Sequence, residues 1–214
     1  MRGVIYMTPT LERRARHKQA LRAEILAAAR ELFVREGYEN VTMRRVAEKI
    51  EYSPTTIYLY FKDKAELLFA ICQETFGKLL EEFAALDRVP MDPVTHLKRG
   101  LRTYIDFGLK HPQHYLASFV VPYEQAPPEE SVPHLAEDSQ GMKAFAYLRR
   151  GVTACVEAGK FRGADVEVIS RALWAAIHGI TSLLIVHKHF PWGDREKVID
   201  LLVDSVVAGL EARA

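Results

Sequence analysis

Only two cysteines occur in the 214-residue chain, Cys72 and Cys155. Each sits alone in an apolar, helix-spaced stretch, so they read as reduced core thiols and not as a disulfide framework. No run of 18 apolar residues is present, which argues against a transmembrane span, and no membrane partner is expected. The N-terminus has no apolar stretch ahead of a small-residue cleavage site, so no secretory signal is read and a cytoplasmic location is expected. Catalytic signatures are missing as well. There is no Gly-rich phosphate loop, His-Glu-x-x-His, paired-cysteine motif, Gly-x-Ser-x-Gly or di-iron Glu-x-x-His pair. His187 and His189 flank Lys188 two residues apart and share no helical face, so no metal site and no cofactor is expected. Catalysis is set aside on these grounds, and an enzyme built on a helical bundle is kept only as a remote alternative. Strand-length alternation and internal repeats are also absent, and the chain reads as all-α.

What little net charge there is, +1 overall, is unevenly placed. Residues 1–62 carry 12 Lys+Arg and 7 Asp+Glu, a net of +5, and the remaining 17 and 21 leave −4. The N-terminal third therefore has the electrostatic sign that suits a phosphate backbone, and the rest does not. In the first 22 residues Arg2, Arg13, Arg14, Arg16, Lys18 and Arg22 face only Glu12. Residues 1–17 are read as an irregular basic arm. Two readings of it stand: a solvated tail, or an arm that docks on phosphate or in the minor groove. Met7 offers a second possible start, which would remove Arg2.

Residues 42–68 carry most of the functional information. One short helical pattern runs from about Met43 to Ile50, with Val46, Ala47 and Ile50 as its apolar side. A second runs from about Pro54 to Tyr60, with Ser53 as N-cap and Pro54 at the first helical position. Ile57 and Phe61 share its buried side, and Thr55, Thr56, Tyr58 and Tyr60 form the other. A helix this short cannot stand alone. Held by its neighbours with a polar and aromatic side free, it has the character of a helix placed in the DNA major groove.

This stretch resembles the helix-turn-helix of the TetR family of bacterial transcriptional regulators. The resemblance rests on Thr42, Val46, Ala47, Ser53, Thr56, Ile57, Tyr58, Tyr60, Phe61, Lys64, Leu67 and Leu68. Glu51 departs from it, standing in the turn where the family often has Gly; a non-Gly residue in the left-handed region costs roughly 1–2 kcal/mol. Trp174, His178 and Gly179 form a Trp-x-x-x-His-Gly pattern similar to one TetR subgroup's C-terminal domain. Tyr104-Ile105-Asp106-Phe107 followed by His111-Pro112-x-x-Tyr115 looks like that subgroup too. The resemblance covers about 18–80 firmly and 93–210 loosely.

The expected organisation is a helix-turn-helix DNA-binding domain at 18–80, with the motif at about 43–62, and a ligand-binding and dimerisation domain at 81–214. Helices are expected at about 18–36, 43–50, 54–60, 64–86, 93–110, 112–120, 135–158, 165–188 and 194–212. Pro122, Pro127, Pro128 and Pro133 make 121–134 an exposed loop, and Gly159 and Gly163 punctuate the next junction. Helix 64–86 is too long for the DNA-binding head alone and is expected to run on as a mechanical link.

Arg44, Arg45, Thr55 and Thr56 are the candidates for base or nearby phosphate contact. Tyr58, Tyr60, Thr42 and Lys64 are expected to position the DNA backbone, with Ser53 and Pro54 shaping the helix start. Tyr104, Phe107, Tyr115, Phe119, Phe145, Trp174 and His178 are candidates for a pocket that the resemblance implies, with an apolar or amphipathic small-molecule effector. Most of the aromatics in this region, which include Tyr123 and Tyr147, also suit an ordinary core, and a lone histidine such as His178 on an apolar helix is as compatible with a hydrogen-bonded core residue. The apolar positions Leu173, Ile177, Ile180 and Leu184, with Leu202, Val206 and Gly209, suit either an internal core or a four-helix interface with a second copy. The DNA argument favours the homodimer, because two recognition helices one helical turn apart read a palindromic operator in double-stranded DNA. The expected function is a ligand-released homodimeric repressor; the alternative is a DNA-binding regulator that answers to a protein partner or to nothing.

Overall fold

The computed structural model describes residues 9–119, 138–161 and 165–211. Among them lie nine helices and no strand: α1 (Pro9–Glu36), α2 (Met43–Lys49), α3 (Pro54–Tyr58), α4 (Lys64–Leu86), α5 (Pro93–Lys110), α6 (Pro112–Phe119), α7 (Gln140–Glu157), α8 (Val166–Val186) and α9 (Arg195–Ala208). The all-α expectation is borne out.

Side-chain caps set where these helices begin. Thr42 accepts from the Arg45 N–H at 3.1 Å, and Ser53 accepts from the Thr56 N–H at 3.2 Å. Asp63 accepts from the Glu66 N–H at 2.8 Å while Glu66 reaches back to the Lys62 N–H at 2.6 Å, a reciprocal cap at the head of α4. Asp92, Ser139, Asp165 and Asp194 start α5, α7, α8 and α9 in the same way. Gly37 ends α1 at φ +80°, donating to the Phe33 carbonyl at 3.1 Å.

Most boundaries fall within two residues of the expectation, and three differ by more. α1 begins at Pro9 rather than Lys18, so residues 9–17 of the supposed irregular arm are helical. Residues 12–20 are all exposed, so no apolar stripe marks this stretch in the sequence. Its Arg, Ala, Lys and Gln residues are good helix formers, and Glu12 pairs with Arg16 at 3.8 Å one turn on. α7 begins at Gln140, not 135, because Ser139 caps it, and α9 ends at Ala208 instead of 212. The readings placed on residues 1–8, on the 121–134 loop with Tyr123, and on Gly163 lie outside the described residues.

One continuous core runs from α1 to α9. Gly108 on α5 marks the tightest crossing. A Cβ there would lie 2.4 Å from the Thr181 Cγ2 of α8 and 2.9 Å from the Tyr115 ring of α6. The bare Cα therefore lets three helices meet. α8 is the one helix among the described residues long and apolar enough to cross a membrane by length and composition. Arg171 and His178 interrupt its apolar run, and its Leu173, Ile177, Ile180 and Leu184 are buried within the chain.

Candidate DNA-reading surface and effector cavity

α2 and α3 form a helix pair around a turn in which Glu51 holds φ +60°. The expected left-handed residue is therefore present, and it is not glycine. Ile57 and Phe61 are buried beneath α3, with the Arg22 guanidinium of α1 5.1 Å from the Phe61 ring centre. The outer side of α3 is open. Thr55 is exposed and Tyr58 is 55% exposed, with Tyr52 and Leu59 beside it. Thr56 is half-buried, and its hydroxyl lies 2.9 Å from that of the Ser53 cap. Thr42, Ser53 and Pro54 are exposed at the helix starts.

The basic candidates divide. Arg44 is exposed and leans on Glu48 at 3.2 Å within its own helix. Arg45 is held by Glu36 at 3.1 Å, which ties α2 to the end of α1. Lys64 is turned inward. Its ammonium donates to the Tyr38 carbonyl at 2.8 Å and sits 4.1 Å from the centre of that ring, bracing the α1–α2 connection against α4. Tyr60 is half-buried against the core and offers less free surface than expected of a backbone-positioning residue. Lys62, exposed between α3 and α4, was not among the candidates. Its lack of any periodic partner in the sequence hid it.

A cavity of about 460 Å³ opens among α4, α5, α6, α7 and α8. That volume lies in the range that houses drug-sized molecules. Of the seven expected pocket residues, Tyr104, Phe119, Phe145, Trp174 and His178 line it. Phe107 does not: it faces away, against the His111 ring at 5.0 Å. Tyr115 does not line it either, but stands behind the wall, with its hydroxyl 2.6 Å from the His178 Nδ1. Tyr104 reaches the same nitrogen at 3.2 Å. Burial lowers the pKa of His178 and raises those of both phenols, so all three are neutral near pH 7. At the far end His96 and Tyr147 line the cavity and converge on Asp87, just past the end of α4, at 3.0 and 3.1 Å. Their place in the wall was not legible, because each comes from a different helix.

A second missed feature joins α6 to the N-terminal helices. Arg30 of α1 donates to the His114 Nε2, and Nδ1 lies 3.2 Å from the Thr75 hydroxyl of α4. Arginine has no acceptor, so Nε2 must be unprotonated and Nδ1 carries the hydrogen. Thr75 passes its own hydrogen to the Ile71 carbonyl at 2.9 Å. Burial, reinforced by Arg30, pushes the His114 pKa down to about 4. Adjacent residues on α6 thus face opposite ways: His114 toward α1, Tyr115 toward the cavity wall.

Two family descriptions match the chain. "Bacterial regulatory proteins, tetR family" matches residues 25–71, and "Tetracyclin repressor-like, C-terminal domain" matches residues 97–207, just over half the chain. The chain belongs to the TetR family. It is a DNA-binding transcriptional regulator of the helix-turn-helix type, as the resemblance implied, and no catalytic function is indicated by the family or by its relatives.

The HTH-type transcriptional repressor AcnR of Corynebacterium diphtheriae is 36% identical over 80 residues, 36% of this chain and 42% of AcnR. The chain therefore spans less than half the length of that relative. YhgD of Bacillus subtilis, an uncharacterised HTH-type regulator, is 26% identical over 88% of this chain and 95% of its own. Among solved structures, a tetR-family regulator from Rhodococcus RHA1 superposes with a TM-score of 0.74 at 21% identity, covering 90% of this chain and 98% of its own. FadR of Bacillus subtilis, solved in complex with stearoyl-CoA, superposes with a TM-score of 0.72 at 17% identity, over 88% and 98%. These likenesses show the fold.

Within this TetR-family chain, Leu173, Ile177, Ile180 and Leu184 are buried against its own helices, which corrects their placement on a dimer face. The helical spacing found an apolar stripe but could not say whose core it joins. The exposed side of α8 is the neighbouring one, where Val168, Leu183 and Val186 stand open along with Ala172, Ala175 and half-exposed Gly179. On α9, Leu201 is exposed, Leu202 and Val206 are half-buried and Gly209 is exposed.

Proposed function

We propose that this TetR-family chain is a homodimeric repressor that binds a palindromic operator and is released by a small-molecule effector. Residues 18–80 are assigned to the DNA-binding head and 81–214 to effector and dimer, so that α4 crosses the division. The observation that carries the reading is the course of α4. Its first turn is capped directly after α3, and further along Phe76, Leu79 and Phe83 line the cavity. A 23-residue helix is about 34 Å long and moves as a rod, so a change in the wall is delivered to the recognition helix. α6 supplies a second route, through Tyr115 on the cavity side and His114 on Arg30.

Thr55 and Tyr58 are assigned to base and backbone contact, supported by their exposure on α3. Arg44 joins them once Glu48 yields it to a phosphate, Thr42 and the Ser53–Pro54 start present N–H groups and hydroxyls, and Arg45 and Lys64 brace the head. The dimer is assigned to the open sides of α8 and α9, where Val168, Leu183, Val186 and Leu201 would be covered and Gly179 allows close approach. A repressor is favoured because AcnR bears that name and because a dimer seated on an operator excludes polymerase. A cytoplasmic location follows from this role. A 100-fold loss of operator affinity requires the effector to prefer the released state by about 2.7 kcal/mol.

Footprinting on DNA flanking the chain's own gene, with excess unrelated DNA, tests this. A protected pseudo-palindrome supports the reading. Salt-sensitive protection without sequence preference on every fragment tried would overturn it.

A further inference from the structure

The polar equipment of the cavity converges on one atom. The Nδ1 of His178 lies 2.6 Å from the Tyr115 hydroxyl and 3.2 Å from that of Tyr104. Tyr115 also lies 3.1 Å from the His178 carbonyl, which can only accept. Two proton arrangements satisfy this set. Either a phenol donates to Nδ1 and Nε2 carries the hydrogen, or Nδ1–H donates to Tyr115, which donates to the carbonyl, and Nε2 is the acceptor. In both, Nε2 is the nitrogen left over, and it has no partner among the described residues. The rings of Phe119 and Trp174 stand 5.2 and 5.7 Å from the imidazole and give it an aromatic surround.

Among the described residues the wall offers nothing for a full negative charge. The one permanently charged side chain among its described lining residues, Arg171, is mostly exposed and engaged by Glu167 at 3.0 Å. His96 and Tyr147 are already spent on Asp87. Burial disfavours the cationic form of His178. A carboxylate inside would lose its hydration with no cation to replace it, and the phosphates of a nucleotide-bearing thioester would meet no basic cluster at the wall.

We propose that the cavity takes an uncharged, mainly aliphatic or aromatic molecule bearing one hydroxyl or carbonyl group, anchored at the Nε2 of His178. The inference rests on reading the cavity as an effector site. A hydroxyl suits either proton arrangement, since it both donates and accepts; a carbonyl selects the arrangement with hydrogen on Nε2. Tyr104 and Tyr115 are positioning residues: by engaging Nδ1 they leave Nε2 as the ring nitrogen open to a ligand.

The test uses the full chain carrying Trp192→Phe, which leaves Trp174 in the cavity wall as the only tryptophan. Binding of 1-decanol, decanoate and stearoyl-CoA is followed by Trp174 emission at pH 7.5. The expected order places 1-decanol at least about tenfold tighter than either charged probe. His178→Phe is expected to weaken 1-decanol by about tenfold, as loss of one buried hydrogen bond does, and His178→Gln to recover most of it. Decanoate or stearoyl-CoA binding as tightly as the alcohol would overturn the proposal and leave the effector reading standing. So would unchanged alcohol affinity in a His178→Phe protein with an unaltered melting profile. The ranking of probes on the parent protein decides the matter even if that variant fails to fold. Silence from all three probes would remove the proposal and the effector reading together.

Discussion

The head and the cavity are held by different kinds of interaction. In the head the starts of α2, α3 and α4 are fixed by groups close in sequence, Thr42 on Arg45, Ser53 on Thr56 and Asp63 on Glu66, and two longer contacts, Lys64 to Tyr38 and Arg22 to Phe61, tie them to α1. Its surface is basic and its reading helix stands clear of the core. The cavity is assembled from five helices, and its decisive contacts, such as Tyr115 to His178 and Tyr104 to His178, join residues 63 and 74 positions apart. A head whose helix starts are set by short-range contacts presents one rigid shape to DNA. A cavity made of long-range contacts can take two arrangements, and α4 and α6 carry the difference between them.

The comparison breaks most severely at Ile57, which is fully buried and anchors the five-residue α3. Ile57→Ala is expected to cost about 2–5 kcal/mol in chemical denaturation and to abolish operator binding. A loss under 1 kcal/mol would mean that α3 is held by something other than this anchor.

The α6 bridge gives the next largest effect, through pH. His114 is held neutral in the fold down to about pH 4, whereas an unfolded histidine titrates near 6.5. The unfolded chain then binds more protons between these values, so stability is full above about pH 6.5 and falls as pH drops toward 4, by about 3 kcal/mol in all. Urea melts of the parent and His114→Gln across that window check it; equal slopes would remove the assignment.

Smaller effects sharpen the contrast at the DNA surface. Tyr58→Ala is expected to lower operator affinity by about 1–3 kcal/mol while changing stability by less than about 0.5 kcal/mol, because the side chain is exposed. Unchanged affinity would remove Tyr58 from the interface. The smallest expected change is a gain. Glu51→Gly should stabilise the protein by about 0.5–1 kcal/mol, since glycine occupies φ +60° without strain but loses more backbone entropy on folding. A loss of stability would show that the Glu51 side chain supports the turn.

The same contrast explains what could be read in advance. The caps and the Ile57–Phe61 pair are local, so α2, α3 and the start of α4 were legible almost to the residue. The left-handed turn at Glu51 was legible only through the resemblance, since the family often has glycine at that place. The cavity was legible only as a set of aromatics. Phe107 and Phe119 both lie in the aromatic-rich stretch from 104 to 123, but the rotation of α5 turns Phe107 to His111, whereas Phe119 faces the cavity. Lys64 matched a motif, yet Tyr38 claims its ammonium. On α8 the apolar stripe was visible, and only packing shows that it is internal and that the neighbouring stripe is open.

The central claim is that cavity occupancy sets the spacing of two recognition helices on one dimer. Pulsed electron–electron distance measurement between spin labels at Leu59→Cys, exposed just past α3 and outside the assigned DNA contacts, in a protein whose native Cys72 and Cys155 are buried, tests it directly. On operator DNA the account predicts a narrow distribution near one helical turn, about 34–36 Å. Filling the cavity with Gly100→Leu, beside Tyr147, is expected to move or broaden that distribution and weaken operator binding. The absence of any dipolar signal, or an identical distance and operator affinity with the cavity filled, would contradict it.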